Sequence, residues 1–155
     1  QLRVLLDLRL AHPDPQAQVH VLVLCDDATP RRPVYQVPVV IRPARSAITS
    51  SAAPGLIGAV DDDRVLVDGP HDPAFADALL RLLSPDAAPA TASVLSGEQS
   101  NTSIIYRPAS GAPIICKVFR SLSQGLNPDV ELQSALSSIG SRRVPAVVGA
   151  LDGGW

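Results

Sequence analysis

The chain has 155 residues, of which 46% are hydrophobic and only 3% aromatic, with a formal charge of −2. A near-neutral charge leaves no electrostatic footprint for nucleic acid, and no stretch approaches the roughly 20 apolar residues of a membrane span or forms a signal peptide. We therefore expect a cytoplasmic protein with a core of Ala, Val and Leu, and with no nucleic-acid or membrane partner.

The first half of the chain has the pattern of a small β-rich unit. Pro38 falls inside one of its apolar runs, which predicts an edge strand or a bulge there. The three acids Asp61-Asp62-Asp63 predict the turn of a hairpin, since consecutive acids at a turn point in different directions and make a poor metal site. The predicted strands are 2–10, 19–24, 34–41, 56–60 and 64–67.

A helix is predicted next, because the sequence has an N-cap residue and a first-turn proline at its start. Asp72 is a plausible N-cap and Pro73 suits the first helical position. An apolar stripe at helical spacing continues through Phe75, Leu79, Leu82 and Leu83. The Pro- and Ala-rich segment 85–91 then predicts a linker, which divides the chain into residues 1–88 and 89–155.

The second half predicts strands, one main helix and a further strand. A polar loop at 97–103 separates strands 93–95 and 104–107, and a third strand surrounds Lys117. Asn127 and Pro128 predict the start of a helix with an apolar stripe, and 144–148 predicts another strand. The fold class is therefore α+β, with an antiparallel sheet plus one helix followed by a second such unit. The stripe of the second helix comprises Leu132, Ala135, Leu136 and Ile139.

Two features of the composition bear on compartment and completeness. Cys25 and Cys116 both lie in apolar runs, which favours buried thiols in a reducing compartment over a disulfide that sequence cannot establish. The chain contains no methionine and stops at Asp152–Trp155 directly after a β-rich segment. We expect it to be a piece of a longer protein.

Lys117 is the only lysine among thirteen basic residues, and it lies in the apolar run Ile114–Phe119. Such a strand predicts a largely buried ammonium, which requires an anionic partner, either a carboxylate or a phosphate. Glu131 lies at the edge of the helical stripe and could reach it. Three alternatives stay open: a structural ion pair of Lys117 with Glu131 or Asp129, a Glu131 that is only a solvated helix residue, and a simple Ser/Asn-rich turn at the polar loop.

Three separated blocks carry a family resemblance: Gly-Glu-Gln-Ser-Asn-Thr-Ser, Ile-Cys-Lys-Val-Phe-Arg and Gly-Leu-Asn-Pro-Asp-Val-Glu-Leu. In this order they resemble the N-terminal lobe of actinobacterial maltokinases and the similar glucosamine kinases, which have the aminoglycoside-phosphotransferase-like, eukaryotic-kinase-like fold. The matching stretch is 94–148. Residues 1 to about 85 resemble the N-terminal cap of that family in layout.

The resemblance implies a role for six residues of this chain. Lys117 would contact the α- and β-phosphates of ATP and Glu131 would orient Lys117. Ser100, Asn101, Thr102 and Ser103 would line the phosphate loop. The catalytic acid and the Mg²⁺-binding acids would belong to a C-terminal lobe, so the resemblance implies no catalytic residue and no metal ligand in this chain.

The activity implied is transfer of the γ-phosphoryl of ATP to a sugar. Maltose, giving maltose 1-phosphate, is the first expectation and glucosamine the alternative. A fusion of the maltokinase part to a trehalose synthase is also open. From another class, a non-catalytic binding module with kinase-like architecture would share these features.

Overall fold

The computed structural model describes residues 1–48, 53–95 and 101–151, which fold as antiparallel sheets with three helices and two short 3₁₀ turns. The predicted α+β class is confirmed. The strands are β1 (Leu2–Leu10), β2 (Gln18–Asp26), β3 (Val34–Pro43), β4 (Leu56–Ala59), β5 (Arg64–Asp68), β6 (Ala90–Leu95), β7 (Asn101–Pro108), β8 (Ile114–Phe119) and β9 (Ser121–Leu122). The helices are α1 (Ala44–Ile48), α2 (Pro73–Leu83) and α3 (Pro128–Ser138), and the 3₁₀ turns are Ala53–Gly55 and Gly69–His71.

The first sheet has the order β1-β2-β3-β5-β4, with β9 also paired to β3, and the second has the order β6-β7-β8. Every pairing in both sheets is antiparallel. The short strand β9 follows β8 after one residue, so a single stretch of chain passes from the second sheet into the first.

Pro38 lies in an interior strand, so the predicted edge position is wrong. β3 exchanges partners around this residue, pairing with β9 up to Tyr35 and with β5 from Val39 onward. The backbone N–H of Gln36 points toward the β9 side, where it donates to a carbonyl. Alternate residues face the same way, so the Pro38 nitrogen lies in the gap between the two partners. A missing N–H costs little there.

The β4–β5 hairpin confirms the turn predicted at the three acids. Asp61 accepts hydrogen bonds from the backbone N–H groups of Asp63 and Arg64. It also forms an ion pair with the Arg64 guanidinium. This arrangement holds the pKa of Asp61 below its ordinary value, chiefly through the Arg64 side chain. Within the described ranges, no group of three His, Cys, Asp or Glu residues is placed to hold a metal ion.

Helix α2 begins as predicted, because the Asp72 side chain accepts from the backbone N–H of Ala74 at 2.9 Å and Pro73 takes the first position. Its buried surface is wider than the predicted stripe. Leu80 is buried, whereas Leu82 is 44% exposed. The helix contacts strands of both sheets, so it is covered on two sides.

One buried cluster joins the two sheets through α2. Val19 and Val40 of the first sheet belong to the same buried cluster as Phe75 of the helix and Ile104 and Val118 of the second sheet. Strand β6 also begins inside the segment expected to be a linker. The division of the chain at residues 88 and 89 stays a prediction.

Helix α3 has the predicted cap but not the predicted packing. The Asn127 side chain accepts from the backbone N–H of Asp129, yet none of the residues of α3 is buried. Leu132 and Ile139, from its apolar stripe, are 61% and 77% exposed. The strand predicted at 144–148 is absent, since residues 145–151 pair with no other strand and have no regular structure.

Cys25 is buried and Cys116 partly buried, and both are free thiols as expected. No helix among the described residues is long and apolar enough to cross a bilayer.

Candidate functional site

Lys117 lies on the outer face of the second sheet, directly opposite Ser103 of β7. Its side chain is 37% exposed, so the burial expected from the apolar run is wrong. The reason is the alternation of side chains along β8. Val118 faces the core with α2, while Lys117 lies on the opposite face with Ile115, which is 61% exposed, and with Ser103, which is buried.

The anionic partner of Lys117 is Asp129, whose Oδ2 lies 3.1 Å from the lysine Nζ. Asp129 belongs to the first turn of α3, so this helix and Lys117 lie on the same side of the sheet. Glu131, one half-turn further on, is exposed and forms no ion pair within the described part of the chain. The structure thus realises the Asp129 alternative and not the ion pair with Glu131.

The Lys117–Asp129 ion pair is weak. The two side chains are 37% and 54% exposed, and pairs between such groups are typically worth about 0–1 kcal/mol because water screens them. Loss of the contact between Lys117 and this carboxylate would therefore cost little free energy.

The predicted phosphate loop is largely strand where the structure describes it. Ser100 lies outside the described residues, and Asn101, Thr102 and Ser103 are the first residues of β7 instead of a loop. Cross-strand partners share a face, so Asn101, opposite Phe119, and Ser103 lie on the face of Lys117. Thr102 lies on the other face, where its Oγ1 accepts from the guanidinium of Arg120.

Arg120 is a residue that the sequence reasoning missed. Its Nη2 donates to Asp68 Oδ2 at 2.8 Å and its Nε donates to Thr102 Oγ1 at 3.0 Å. Both members of the ion pair are mostly buried, with side-chain exposures of 28% and 23%. An arginine directly after the lysine strand was visible in the sequence, but its acid lies 52 residues away, which no local pattern reveals.

The residue next to Lys117 is not a nucleophile. Cys116 faces the core, and burial raises the pKa of its thiol to about 11. A thiol with such a pKa is neutral near pH 7, and the thiolate is the reactive form. The polar groups described on the outer face beside it are those of Lys117, Asp129, Asn101 and Ser103.

Residues 1–72 match the family described as the maltokinase N-terminal cap domain. The matched segment comprises β1 to β5 and ends at Asp72, the N-cap of α2. The N-terminal part of the chain is therefore maltokinase-like. The match ends before the second sheet and Lys117.

Proposed function

We propose that this chain is the N-terminal part of an ATP-dependent sugar kinase, in which the cap precedes the phosphate-facing half of a kinase-like N-terminal lobe. The observation that carries the proposal is the order of two features along the chain. A segment matching the maltokinase cap is followed by an antiparallel sheet whose only lysine forms an ion pair with Asp129 of helix α3.

In this proposal Lys117 binds the α- and β-phosphates of ATP, as the third-strand lysine of kinase-like folds does. Its accessible ammonium and its exchangeable partner Asp129 fit that role. Asn101 and Ser103 share its face, whereas Thr102 supports the site from the opposite face. Glu131 would orient the lysine once phosphate has displaced Asp129, and Ser100 would belong to the loop over the phosphates.

Mg²⁺ and the catalytic carboxylate would come from a further lobe. The described residues offer no cluster of three metal ligands, and phosphoryl transfer depends on metal and acid groups that stabilise the transferring phosphoryl. The exposed apolar stripe of α3, with Leu132 and Ile139, is the surface that such a lobe would cover. We propose maltose as the acceptor, in keeping with the description of the cap family, with glucosamine as the alternative. We also propose that the enzyme is cytoplasmic.

A second candidate function is a non-catalytic module with kinase-like architecture. The ion pair between Lys117 and Asp129 favours it, because that pair already gives the lysine a structural partner. The two candidates predict different results when the partners are removed one at a time.

The test is kinase turnover with ATP and maltose in the longer protein that contains this chain. Lys117→Ala should lower kcat/KM by roughly a hundredfold or more, since a charged donor to the phosphates is lost. Asp129→Ala removes the same ion pair but keeps the lysine, so it should lose far less. Circular dichroism confirms that both variants are folded. Equal effects of the two substitutions, or full turnover in Lys117→Ala, would reduce Lys117 to a structural cation.

The 155-residue chain alone should transfer no phosphoryl group, because it would supply only the phosphate-facing half of the site. Turnover by this chain would contradict the proposed division of roles.

A further inference from the structure

Arg120 joins the two sheets through its side chain. The guanidinium reaches Asp68 at the end of β5 in the first sheet and Thr102 on β7 in the second. The planar fork of arginine serves two acceptors in fixed directions, which a lysine ammonium does not do with the same geometry. This contact therefore sets a distance and an orientation between the sheets.

The backbone of Arg120 is held by the first sheet as well. Its carbonyl accepts from the backbone N–H of Gln36 at 2.9 Å, and the next two residues pair as β9 with Tyr35 and Val34. Three residues after Lys117, the chain has thus become part of the cap sheet. Arg120, the residue directly after β8, is therefore held through both its side chain and its backbone.

Asp68, which accepts the hydrogen bond from Arg120, lies at a position with a well-defined backbone. Asp68 stands opposite Val39 in the β3–β5 ladder and is followed by Gly69, which is pressed against Pro38 and Phe75. A Cβ on Gly69 would lie 2.7 Å from Pro38 Cβ, so only glycine allows this approach. The carboxylate of Asp68 is therefore a fixed point of the cap.

From these contacts we propose that Arg120 is a positioning residue, through which the cap sheet fixes strand β8 and with it the location of Lys117. The part of this inference that concerns ATP binding rests on the proposed function. Among the described residues, the weak ion pair with Asp129 is the only polar contact of the Lys117 side chain. The position of its ammonium consequently follows the backbone of β8, which is anchored on the opposite face.

Hydrogen exchange on the 155-residue chain tests the anchor without any activity. Arg120→Lys keeps the charge but loses the two-acceptor geometry, and amides of β8 should exchange roughly tenfold faster while those of the β1–β2 hairpin are unchanged. Arg107→Lys is the matched control. Arg107 donates to Ser93 at 2.7 Å, but it links only neighbouring strands of the second sheet. Equal exchange in β8 for both variants would overturn the inference.

Kinetics of the longer protein test the consequence for the site. Arg120→Lys should raise the KM for ATP by roughly tenfold and leave the KM for the sugar unchanged, with Arg107→Lys like the wild type. An unchanged KM for ATP in Arg120→Lys, beside a Lys117→Ala enzyme that has lost its turnover, would overturn this inference and leave the proposed function standing. Undiminished turnover in Lys117→Ala would overturn both.

Discussion

The substitution Asp72→Asn tests how much a buried ion pair between the first sheet and the start of helix α2 contributes to stability. Asp72 is entirely buried and pairs with Arg42, whose side chain is 10% exposed. The same carboxylate caps α2 by accepting from Ala74. Asparagine is as good an N-cap as aspartate, so this change removes the charge while keeping the cap.

The expected loss of stability follows from the charge left behind. Breaking a buried ion pair by removing one partner typically costs about 3–5 kcal/mol, because the other charge stays buried without compensation. The Nε of Arg42 already has no hydrogen-bond partner in the described structure, so the guanidinium has no alternative acceptor there. At about 2–4 °C per kcal/mol for a chain of this size, the melting temperature should fall by about 10 °C.

Urea and thermal unfolding, followed by circular dichroism, measure the loss. Asn127→Ala is a matched control, since Asn127 caps α3 with the same 2.9 Å geometry but at an exposed site and without an ion pair, and it should cost about 1 kcal/mol. Replacing both partners, as Arg42→Met with Asp72→Asn, should recover most of the loss. A single Asp72→Asn variant within 1 kcal/mol of the wild type, or a double variant no better than the single one, would refute this reasoning.

Two further predictions concern the second sheet. The pKa of Cys116 is raised to about 11 in the folded chain, against an ordinary value near 8.5, so the unfolded chain loses this proton first as the pH rises. The stability that this raised pKa contributes is complete below about pH 8.5 and is lost toward pH 11. The free energy of unfolding in urea should therefore depend less on pH across this window in Cys116→Ala than in the wild type. An unchanged slope of this free energy against pH would contradict the buried thiol. Under the proposed function, Glu131→Gln in the longer protein should lower turnover with ATP and maltose at least about tenfold. Asp129→Asn removes only a competitor for the lysine, so it should not raise the KM for ATP. The reverse order of effects would make Asp129 the orienting acid.

Signals confined to a few neighbouring residues were sufficient to predict much of the fold. The start of α2 needed only Asp72 and Pro73, because capping is a local hydrogen bond and proline presets the first turn. The β4–β5 hairpin likewise needed only the acids at its turn. In each case the sequence that specifies the structure lies within one turn of it.

Contacts between distant segments explain what the sequence could not predict. Leu80 is buried because α2 is covered by two sheets, and a single stripe at helical spacing anticipates only one covering surface. The ion pair of Arg120 with Asp68 joins residues 52 positions apart. Pro38 is tolerated in an interior strand because of a gap that exists only when β9, from much later in the chain, pairs with β3.

Lys117 shows how the same limit bears on the candidate site. An apolar strand with one charge predicts burial on both faces, but whether each face is covered depends on elements far away in sequence. In β8 the inner face packs on the core that includes Val118 and lies beside Arg120, while on the outer face, among the described residues, the ion-pair partner of Lys117 is Asp129 in the exposed first turn of α3. A lysine in this position has a fixed backbone and an accessible ammonium with a weakly held partner. Under the proposed function, the phosphate of ATP would gain from this arrangement, because the strand is already ordered and the carboxylate that must leave contributes little.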